Sequence, residues 1–295
     1  MTAHISDRSN QFSDTAPARA VAPAVRIQPR YSLPVLWHLL SLDAPTVATV
    51  WFLLAARTAH LHLLRSDAAA LFLATWMFYV IDRLLDVYCG EPHPEERHRF
   101  HGEHSKAFFY ALLCAAPVLL LLLSHMGQPL RRAWLLLGLG SAGYYAWVHT
   151  RDASADSATR VPKEICVGMG FTLAIFLPEA LSGVLRPLLP QILCFFALCC
   201  LNCILIYERE HHSLKTAHWS TRFAIRHASL LQATLLLCGL ALCFTANAPR
   251  TLSASIVLSA AIMMALRRSR HRIPRLSYRI AADAALLSPL LFLFG

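Results

Sequence analysis

The chain contains 295 residues, of which 56% are hydrophobic and 15% are charged, and it carries a formal net charge of +10. A soluble domain has roughly 25% charged residues, so this composition excludes an ordinary soluble protein and predicts an all-α, polytopic membrane protein. The positive charge is typical of basic loops that face an anionic leaflet. The sequence has no Lys/Arg block interleaved with aromatic residues, which argues against a nucleic-acid partner.

The first 31 residues are polar and rich in Ala, Ser, Pro and Arg. They contain no apolar core of the kind that defines a signal peptide. We therefore predict a disordered cytoplasmic tail over residues 1–31 and one transmembrane domain over residues 32–295.

Nine apolar runs follow, each long enough to cross roughly 30 Å of hydrocarbon as a helix. They predict spans at 35–56, 67–88, 107–126, 130–149, 162–182, 187–207, 228–247, 251–267 and 279–294. When the N-terminus is placed inside, the loops on its side carry most of the 27 Lys and Arg residues, as the positive-inside rule requires. We expect a multi-pass integral membrane protein with its N-terminus and site loops in the cytoplasm and its C-terminus on the opposite side. The ends of the second and sixth spans then share the cytoplasmic face.

The second span ends in the stretch YVIDRLLDVY, residues 79–88, which carries two aspartates and an arginine. Asp82 and Asp86 are four residues apart, so both carboxylates project from one side of a helix. Two unpaired carboxylates at this depth would repel each other, and a divalent cation such as Mg²⁺, which prefers oxygen ligands, would relieve the repulsion. Alternatively, Arg83 or Arg97 pairs with the aspartates as a structural clamp.

The loop after this span is dense in charge and reads CGEPHPEERHRFHGEHSK from residue 89 to 106. Arginines and imidazoles beside a carboxylate–metal site are the groups that a bound diphosphate needs, and the loop supplies Arg97, His98, Arg99 and His101. The alternative is a solvated loop whose charges pair with one another.

The sixth span ends in a second cluster, CCLNCILIYEREHHSLK, residues 199–215. Asn202 is a polar residue inside an apolar run, and Glu208 and His212 repeat the four-residue spacing. A carboxylate and an imidazole one turn apart could hold a second cation opposite the aspartates of the second span. The alternative is an ordinary charged helix end at the membrane interface.

Three further polar residues lie near span ends. Lys163, at the start of the fifth span, could reach an anionic group at the same face, or it could be a lysine that snorkels to the interface. Asp43 and Asp283 could line a cavity, or they could be satisfied within helix packing.

These features resemble the UbiA superfamily of intramembrane prenyltransferases, over essentially all of the chain after residue 31. That family has an N-D-x-x-D-x-x-x-D motif on helix 2 and a D-x-x-x-D motif on helix 6. Asp82 and Asp86 match the last two aspartates of the first motif. Phe78 and Tyr79 occupy the positions of its asparagine and first aspartate.

The resemblance continues in the fifth and sixth spans. Glu208 with His212 is the best match to the second motif, and Asn202 stands about one residue out of register with an upstream aspartate of the family. The stretch RVPKEICVGMGFTLAIFLP is similar to the basic start of the family's helix 5, with Lys163 as its lysine.

The resemblance implies a Mg²⁺-dependent enzyme that transfers an isoprenoid from a prenyl diphosphate to a lipophilic acceptor of the aromatic or quinone type. It implies catalytic roles for Asp82, Asp86 and Glu208. The same three carboxylates, together with His212, would hold Mg²⁺. The diphosphate would be bound by cationic side chains, namely Arg83, Arg97, Arg99 and Lys163.

Two other functions stay open. A UbiA-like bundle that lacks family aspartates could bind an isoprenoid, a quinone or a protein partner without turning it over. The third possibility is a membrane di-iron oxidase, because His98, His101 and His104 form an H-x-x-H-x-x-H pattern. His211 and His212 add an adjacent pair on the same face, as the histidine boxes of such oxidases do.

Overall fold

The structure is a computed structural model of the chain. It describes residues 31–89, 96–150, 162–210, 217–245 and 249–293. Within these ranges the chain is helical almost throughout and contains no strand, which confirms the predicted all-α class. The predicted disordered tail, apart from Tyr31, lies outside the described residues.

Thirteen helices account for most of the described ranges. They are α1 (Leu33–Leu39), α2 (Asp43–Thr58), α3 (Arg65–Cys89), α4 (Glu96–Glu103), α5 (Ser105–Ser124), α6 (Gln128–Thr150), α7 (Lys163–Leu181), α8 (Leu185–Glu210), α9 (Trp219–Arg226), α10 (Ala228–Phe244), α11 (Arg250–Arg268), α12 (Arg275–Ala285) and α13 (Leu290–Leu293). Helices suit apolar runs of this kind because each helix satisfies its backbone hydrogen bonds internally, without water.

Among the described residues, six helical segments are long and apolar enough to cross a membrane. They are Arg65–Tyr88, Ser105–Ser124, Glu164–Leu181, Leu185–Glu210, Arg250–Arg268 and Arg275–Leu293. Two bent pairs, α1 with α2 and α9 with α10, raise the number to eight if each pair is one span. The predicted fourth span forms α6, which has 23 residues but is not among these eight. The helices are consistent with a multi-pass membrane protein, and the count of nine spans stays a prediction.

The first predicted span, 35–56, is a bent pair of helices and not one straight helix. α1 and α2 meet at 91°, and Ser41 in the turn between them has a φ of 60°, which is uncommon for a residue other than glycine. Arg83 of α3 donates hydrogen bonds to the His38 carbonyl at 3.1 Å and to the Ser41 hydroxyl at 2.9 Å. A side chain from another helix therefore holds the bend.

Helix α2 forms the centre of the core, and most of its 16 residues are buried. The Trp51 ring lies 4.5 Å from the ring of Phe195 on α8. Its Nε1 donates to the Leu286 carbonyl at 2.7 Å, just after α12. In a bilayer, such close packing and interhelical hydrogen bonds hold helices together, since lipid tails are as apolar as the side chains.

The outer surface carries large apolar side chains. Only 11% of the most apolar window of α5 is buried, and Leu113, Leu120 and Leu121 are each more than half exposed. Soluble monomers rarely expose contiguous apolar patches of this kind. This surface is what a lipid-facing helix requires.

Candidate functional site

A polar cavity of about 340 Å³ lies where the ends of several helices meet. Its acidic, basic, histidine and asparagine lining residues come from α2, α3, α4, α7, α8 and α12, and they are Asp43, Asp82, Arg83, Asp86, Arg97, His98, Glu164, Asn202, Glu210, Arg279 and Asp283. Ionisable groups within an apolar bundle are costly to bury and are usually functional. We therefore treat this cavity as the candidate site.

Six of the predicted site residues line this cavity: Asp82, Arg83, Asp86, Arg97, His98 and Asn202. The structure thus brings the ends of the second and sixth predicted spans to one place. His98, from α4, has its Nε2 at 3.7 Å from an Asp86 carboxylate oxygen. The Lys163 side chain and His212 lie outside the described residues.

Glu208 is not among the residues that line the cavity. Its two carboxylate oxygens accept hydrogen bonds from Arg267, at 2.9 Å from Nε and at 3.0 Å from Nη2. This paired geometry, with both side chains mostly buried, ties the end of α8 to the end of α11. Glu208, which the sequence predicts as a metal ligand, therefore joins two helix ends through an ion pair and lies outside the cavity lining.

Glu210, and not the predicted Glu208, is the carboxylate that α8 contributes to the cavity. It pairs with Arg279 of α12 and lies 3.9 Å from Arg97 of α4. The residues of α8 that line the cavity include Asn202, Cys203, Ile206, Tyr207 and Glu210. Their common face follows from the helical period, but the choice of that face depends on packing against the neighbouring helices.

Arg99 and His101 of α4 point away from the cavity. Arg99 is exposed and lies 3.9 Å from both Glu96 and Glu103 on its own helix, which is the solvated ion pairing considered as the alternative for this loop. His101 is fully buried, its Nε2 lies 3.2 Å from the Ser41 hydroxyl, and its ring stacks on Phe108 at 4.2 Å.

The surroundings of His101 disfavour its charged form. Burial, and next the nearby Arg83 guanidinium, lower the pKa of His101 to about 4. Its Nδ1 lies 2.9 Å from the Arg97 carbonyl, so Nδ1–H donates and Nε2 accepts from Ser41. His101 therefore braces the α1–α2 bend as a neutral side chain.

Asp43 is the acidic group beside Arg83. One of its carboxylate oxygens lies 2.7 Å from His38 Nδ1 and 3.8 Å from Arg83 Nη2. In the described part of the chain, the one set of three potential metal-ligating groups with donor atoms within 4.8 Å of one another is His38, Asp43 and Asp283. Since Asp43 is already paired with His38 and neighboured by a guanidinium, we interpret this set as a hydrogen-bonded ion cluster.

Asp82 and Asp86 are better candidate ligands for Mg²⁺ than this cluster. Mg²⁺ is usually bound through one or two carboxylates together with waters and substrate phosphates, so two cavity-lining aspartates suit it. Asn202 adds a buried oxygen: its Nδ2 donates to Asp283 Oδ1 at 3.0 Å, while its Oδ1 has no hydrogen-bond partner among the described residues. Of the carboxylates that the sequence predicts as metal ligands, Asp82 and Asp86 are the two that line this cavity, and they would hold the ion.

An apolar cavity of about 780 Å³ lies beside the polar one. Tyr79, Tyr145, Val167 and Phe171 line both cavities, so the two share a wall. Most of the remaining lining consists of Leu, Ala, Gly and aromatic residues from α2, α3, α5, α6 and α7. Phe78 also lines this cavity, which means that the two residues in the polar positions of the family motif border apolar space.

The histidines of the H-x-x-H-x-x-H pattern have different surroundings. His98 neighbours Asp86, His101 contacts Ser41, and the exposed His104 bonds through Nδ1 to the Phe100 carbonyl at 2.9 Å. None of the three belongs to the set of potential metal-ligating groups found in the described residues. His211 and His212 lie outside the described residues, and the di-iron oxidase hypothesis stays a prediction.

Comparison with known proteins gives no match: no family model, no curated protein and no solved structure matches this chain. The resemblance to the UbiA superfamily therefore rests on the motif residues, above all Asp82 and Asp86. It stays a prediction.

Proposed function

We propose that the protein is an integral membrane prenyltransferase of the UbiA type, which uses Mg²⁺ to transfer an isoprenoid from a prenyl diphosphate to an aromatic or quinone-type acceptor. The observation that supports this function is the shared wall between a charged cavity of about 340 Å³ and an apolar cavity of about 780 Å³. A prenyl diphosphate joins a charged head to a long apolar tail, and the two cavities match these two parts.

The polar cavity supplies the groups that would bind the diphosphate head. Arg97 and Arg279 line it and both neighbour Glu210, and guanidinium groups bind phosphate oxygens through paired hydrogen bonds. Mg²⁺ held by Asp82 and Asp86 would neutralise the charge that develops on the departing pyrophosphate.

Two of the predicted diphosphate ligands have other roles in this scheme. Arg83 donates a hydrogen bond to Ser41 in the α1–α2 bend and forms an ion pair with Asp43. Arg99 is exposed and paired along its own helix. We therefore assign the diphosphate contacts to the arginines that line the cavity beside Glu210.

The shared wall is where the reaction would take place. The C–O bond of the donor breaks there, its electron pair leaves with the pyrophosphate, and an allylic cation remains. The rings of Tyr79, Tyr145 and Phe171 lie at this wall, and aromatic faces attract cations. The acceptor then attacks the cation, forms the new bond and releases a proton.

The polar cavity would face the cytoplasm. Asp43 and Glu164 lie in the first turns of α2 and α7, Arg279 lies in the second turn of α12, and Glu210 is the last residue of α8, so these helix ends meet at the cavity. In the nine-span arrangement this is the end that carries the basic loops, as the positive-inside rule requires for the cytoplasmic side. The N-terminus would lie on this side and the C-terminus on the other.

A second candidate is a bundle of the same type that binds an isoprenoid or quinone without transferring it. The observation that favours it is the internal pairing of charges: Asp43 pairs with His38, and Glu210 pairs with Arg279. Carboxylates that are already neutralised have less to offer a metal ion. The apolar cavity serves either function.

A screen of prenyl diphosphates of several lengths, each with aromatic and quinone-type acceptors, tests the proposed function. The purified protein is assayed for released pyrophosphate with Mg²⁺ and with EDTA. Release that requires both Mg²⁺ and an acceptor supports transfer. Saturable binding of a donor without release supports the binding function, and neither binding nor release by any donor contradicts both.

A further inference from the structure

Helix α9 turns away from the direction of the spans. It runs from Trp219 to Arg226 and is bent by 72° from α10. Because a spanning helix lies within a few tens of degrees of the membrane normal, a segment bent by 72° from one runs close to the membrane plane. Its start is capped by His218, whose Nδ1 accepts from the Ser220 N–H at 3.3 Å.

One face of α9 is packed on the bundle. Thr221 and Ile225 are buried. The Thr221 hydroxyl donates to Glu164 Oε1 at 3.2 Å, and the Ile225 carbonyl accepts from Arg267 Nη2 at 3.5 Å. Since Glu164 lines the polar cavity, α9 is attached directly to the cavity wall.

The opposite face of α9 alternates aromatic and basic side chains. Trp219, Arg222, Phe223 and Arg226 stand at intervals of three and four residues, which places them on one side of the helix. All four are exposed, and the two aromatic residues are exposed by 62% and 57%. Their ring contacts within α9 and its flanks are with histidines, His218 for Trp219 at 5.5 Å and His227 for Phe223 at 4.5 Å, and more than half of each aromatic residue stays exposed.

The same end of the molecule carries further positive charge. Arg267 bonds to the Ser229 hydroxyl at 2.6 Å, so the end of α11 lies beside the start of α10. The exposed arginines here are Arg268 at the end of α11, Arg272 in the turn that follows, and Arg275 at the start of α12. The sequence contains no Asp or Glu at all between residues 211 and 282.

We infer that the face formed by Trp219, Arg222, Phe223 and Arg226 is an in-plane membrane anchor that binds anionic phospholipid headgroups. Tryptophan and other amphipathic rings lie at the headgroup level of bilayers, and helices with an aromatic and basic face lie in the interface plane. Arginines there attract anionic lipids. Because the surface is positively charged, it should bind anionic lipids more tightly than zwitterionic ones. This inference does not rest on the proposed prenyl transfer.

The depth of Trp219 is measured by fluorescence quenching of the full chain in nanodiscs whose lipids carry bromine at a known chain position. The difference between the wild type and Trp219→Phe isolates the signal of this one indole. We expect quenching that is strongest for bromine near the headgroups. An unquenched, water-exposed indole would overturn the inference, as would an indole shielded from lipid and water alike by a second copy of the chain.

Lipid selectivity is measured by titrating the detergent-solubilised protein with fluorescent phosphatidylglycerol and phosphatidylcholine. We expect tighter binding of phosphatidylglycerol, weakened roughly tenfold or more in the double variant Arg222→Gln, Arg226→Gln. The matched control, Arg132→Gln with Arg186→Gln, removes two exposed arginines near the opposite helix ends and should keep the wild-type affinity. Equal affinity for both lipids, or an equal loss in the control, would contradict the inference.

Discussion

Asn202 on α8 donates a hydrogen bond from its Nδ2 to Oδ1 of Asp283 on α12, across 3.0 Å. The other Asp283 oxygen lies 4.0 Å from His38 Nδ1, and that histidine is bonded to Asp43. Polar contacts therefore join the α1–α2 bend, α8 and α12 at the wall of the polar cavity. Asn202 is both a link in this network and a source of an oxygen at the cavity.

Replacing Asn202 with alanine should lower the free energy of unfolding by about 1–3 kcal/mol, because the mostly buried Asp283 carboxyl loses its donor. Thermal or denaturant unfolding of the purified protein measures this. The matched control is Ser141→Ala on α6, whose hydroxyl bonds only to the Leu137 carbonyl of its own helix among the described contacts. An equal decrease in the free energy of unfolding in both variants would show that the Asn202–Asp283 hydrogen bond does not contribute more than a hydrogen bond within one helix.

Glu208 and Glu210 should respond differently to neutralisation. Glu208→Gln should cost about 1–3 kcal/mol of stability, because Arg267 loses a charged partner, and should leave the KM for a prenyl diphosphate unchanged. Glu210→Gln should lower that KM by roughly three- to tenfold, because the carboxylate no longer competes with the diphosphate for Arg97 and Arg279. Steady-state kinetics and unfolding curves on both variants check this. A lower KM in Glu208→Gln, together with an unchanged KM in Glu210→Gln, would contradict the placement of the site.

Glu208 and Glu210 show which features of the site can be predicted from the sequence and which cannot. The spacing of Asp82 and Asp86 is a property of one helix, so their common side follows from the helical period alone. Which carboxylate of α8 meets them depends on the rotation of that helix about its axis, and that rotation is set by packing against its neighbours. The cavity-lining positions 203, 206, 207 and 210 mark the correct face only once the packing is known.

The bend at Ser41 escapes prediction for a similar reason. The stretch 35–56 is apolar enough to predict one span. Pro45, which has no N–H to donate to the Ser41 carbonyl, is a local signal for a break, but it does not set the angle of the bend. The break is held by Arg83, which reaches the turn from α3, and by His101 from α4. The all-α class, by contrast, follows from composition and run length, because apolar runs in lipid must form helices or closed barrels.

The apolar cavity should limit the length of the donor tail. Gly138 lines this cavity, and a Cβ placed on it meets nothing within 4 Å, so Gly138→Leu would fill cavity space without a clash. We expect a higher KM for long prenyl diphosphates and little change for short ones. Gly143→Leu on the same helix is the control, because its Cβ is also unobstructed but it does not line the cavity. A uniform effect of both variants on all donors would count against this cavity as the tail site.

His101 should make stability depend on pH. Its pKa in the folded protein is lowered to about 4 from the ordinary value of 6.5, so between these values the unfolded chain binds more protons than the folded one. Stability should therefore be full above pH 6.5 and fall as the pH drops towards 4, by on the order of 3 kcal/mol from this residue.

The variant His101→Gln isolates this contribution, since it removes the titrating group and keeps hydrogen-bonding capacity. We expect the stability of the wild type relative to the variant to decline as the pH is lowered from 7 to about 4. Unfolding curves across that range measure the difference. A difference that is constant with pH would mean that the folded protein accommodates the protonated imidazole.

The most direct measurement of the central claim is pyrophosphate release by the double variant Asp82→Asn, Asp86→Asn, with Glu103→Gln as the control. Glu103 is an exposed carboxylate of α4 that is not among the residues lining the polar cavity. The assignment predicts Mg²⁺-dependent release by the wild type and the control, and a loss on the order of a thousandfold in the double variant. Wild-type rates of release in the double variant would contradict the assignment of this cavity as a prenyl transfer site.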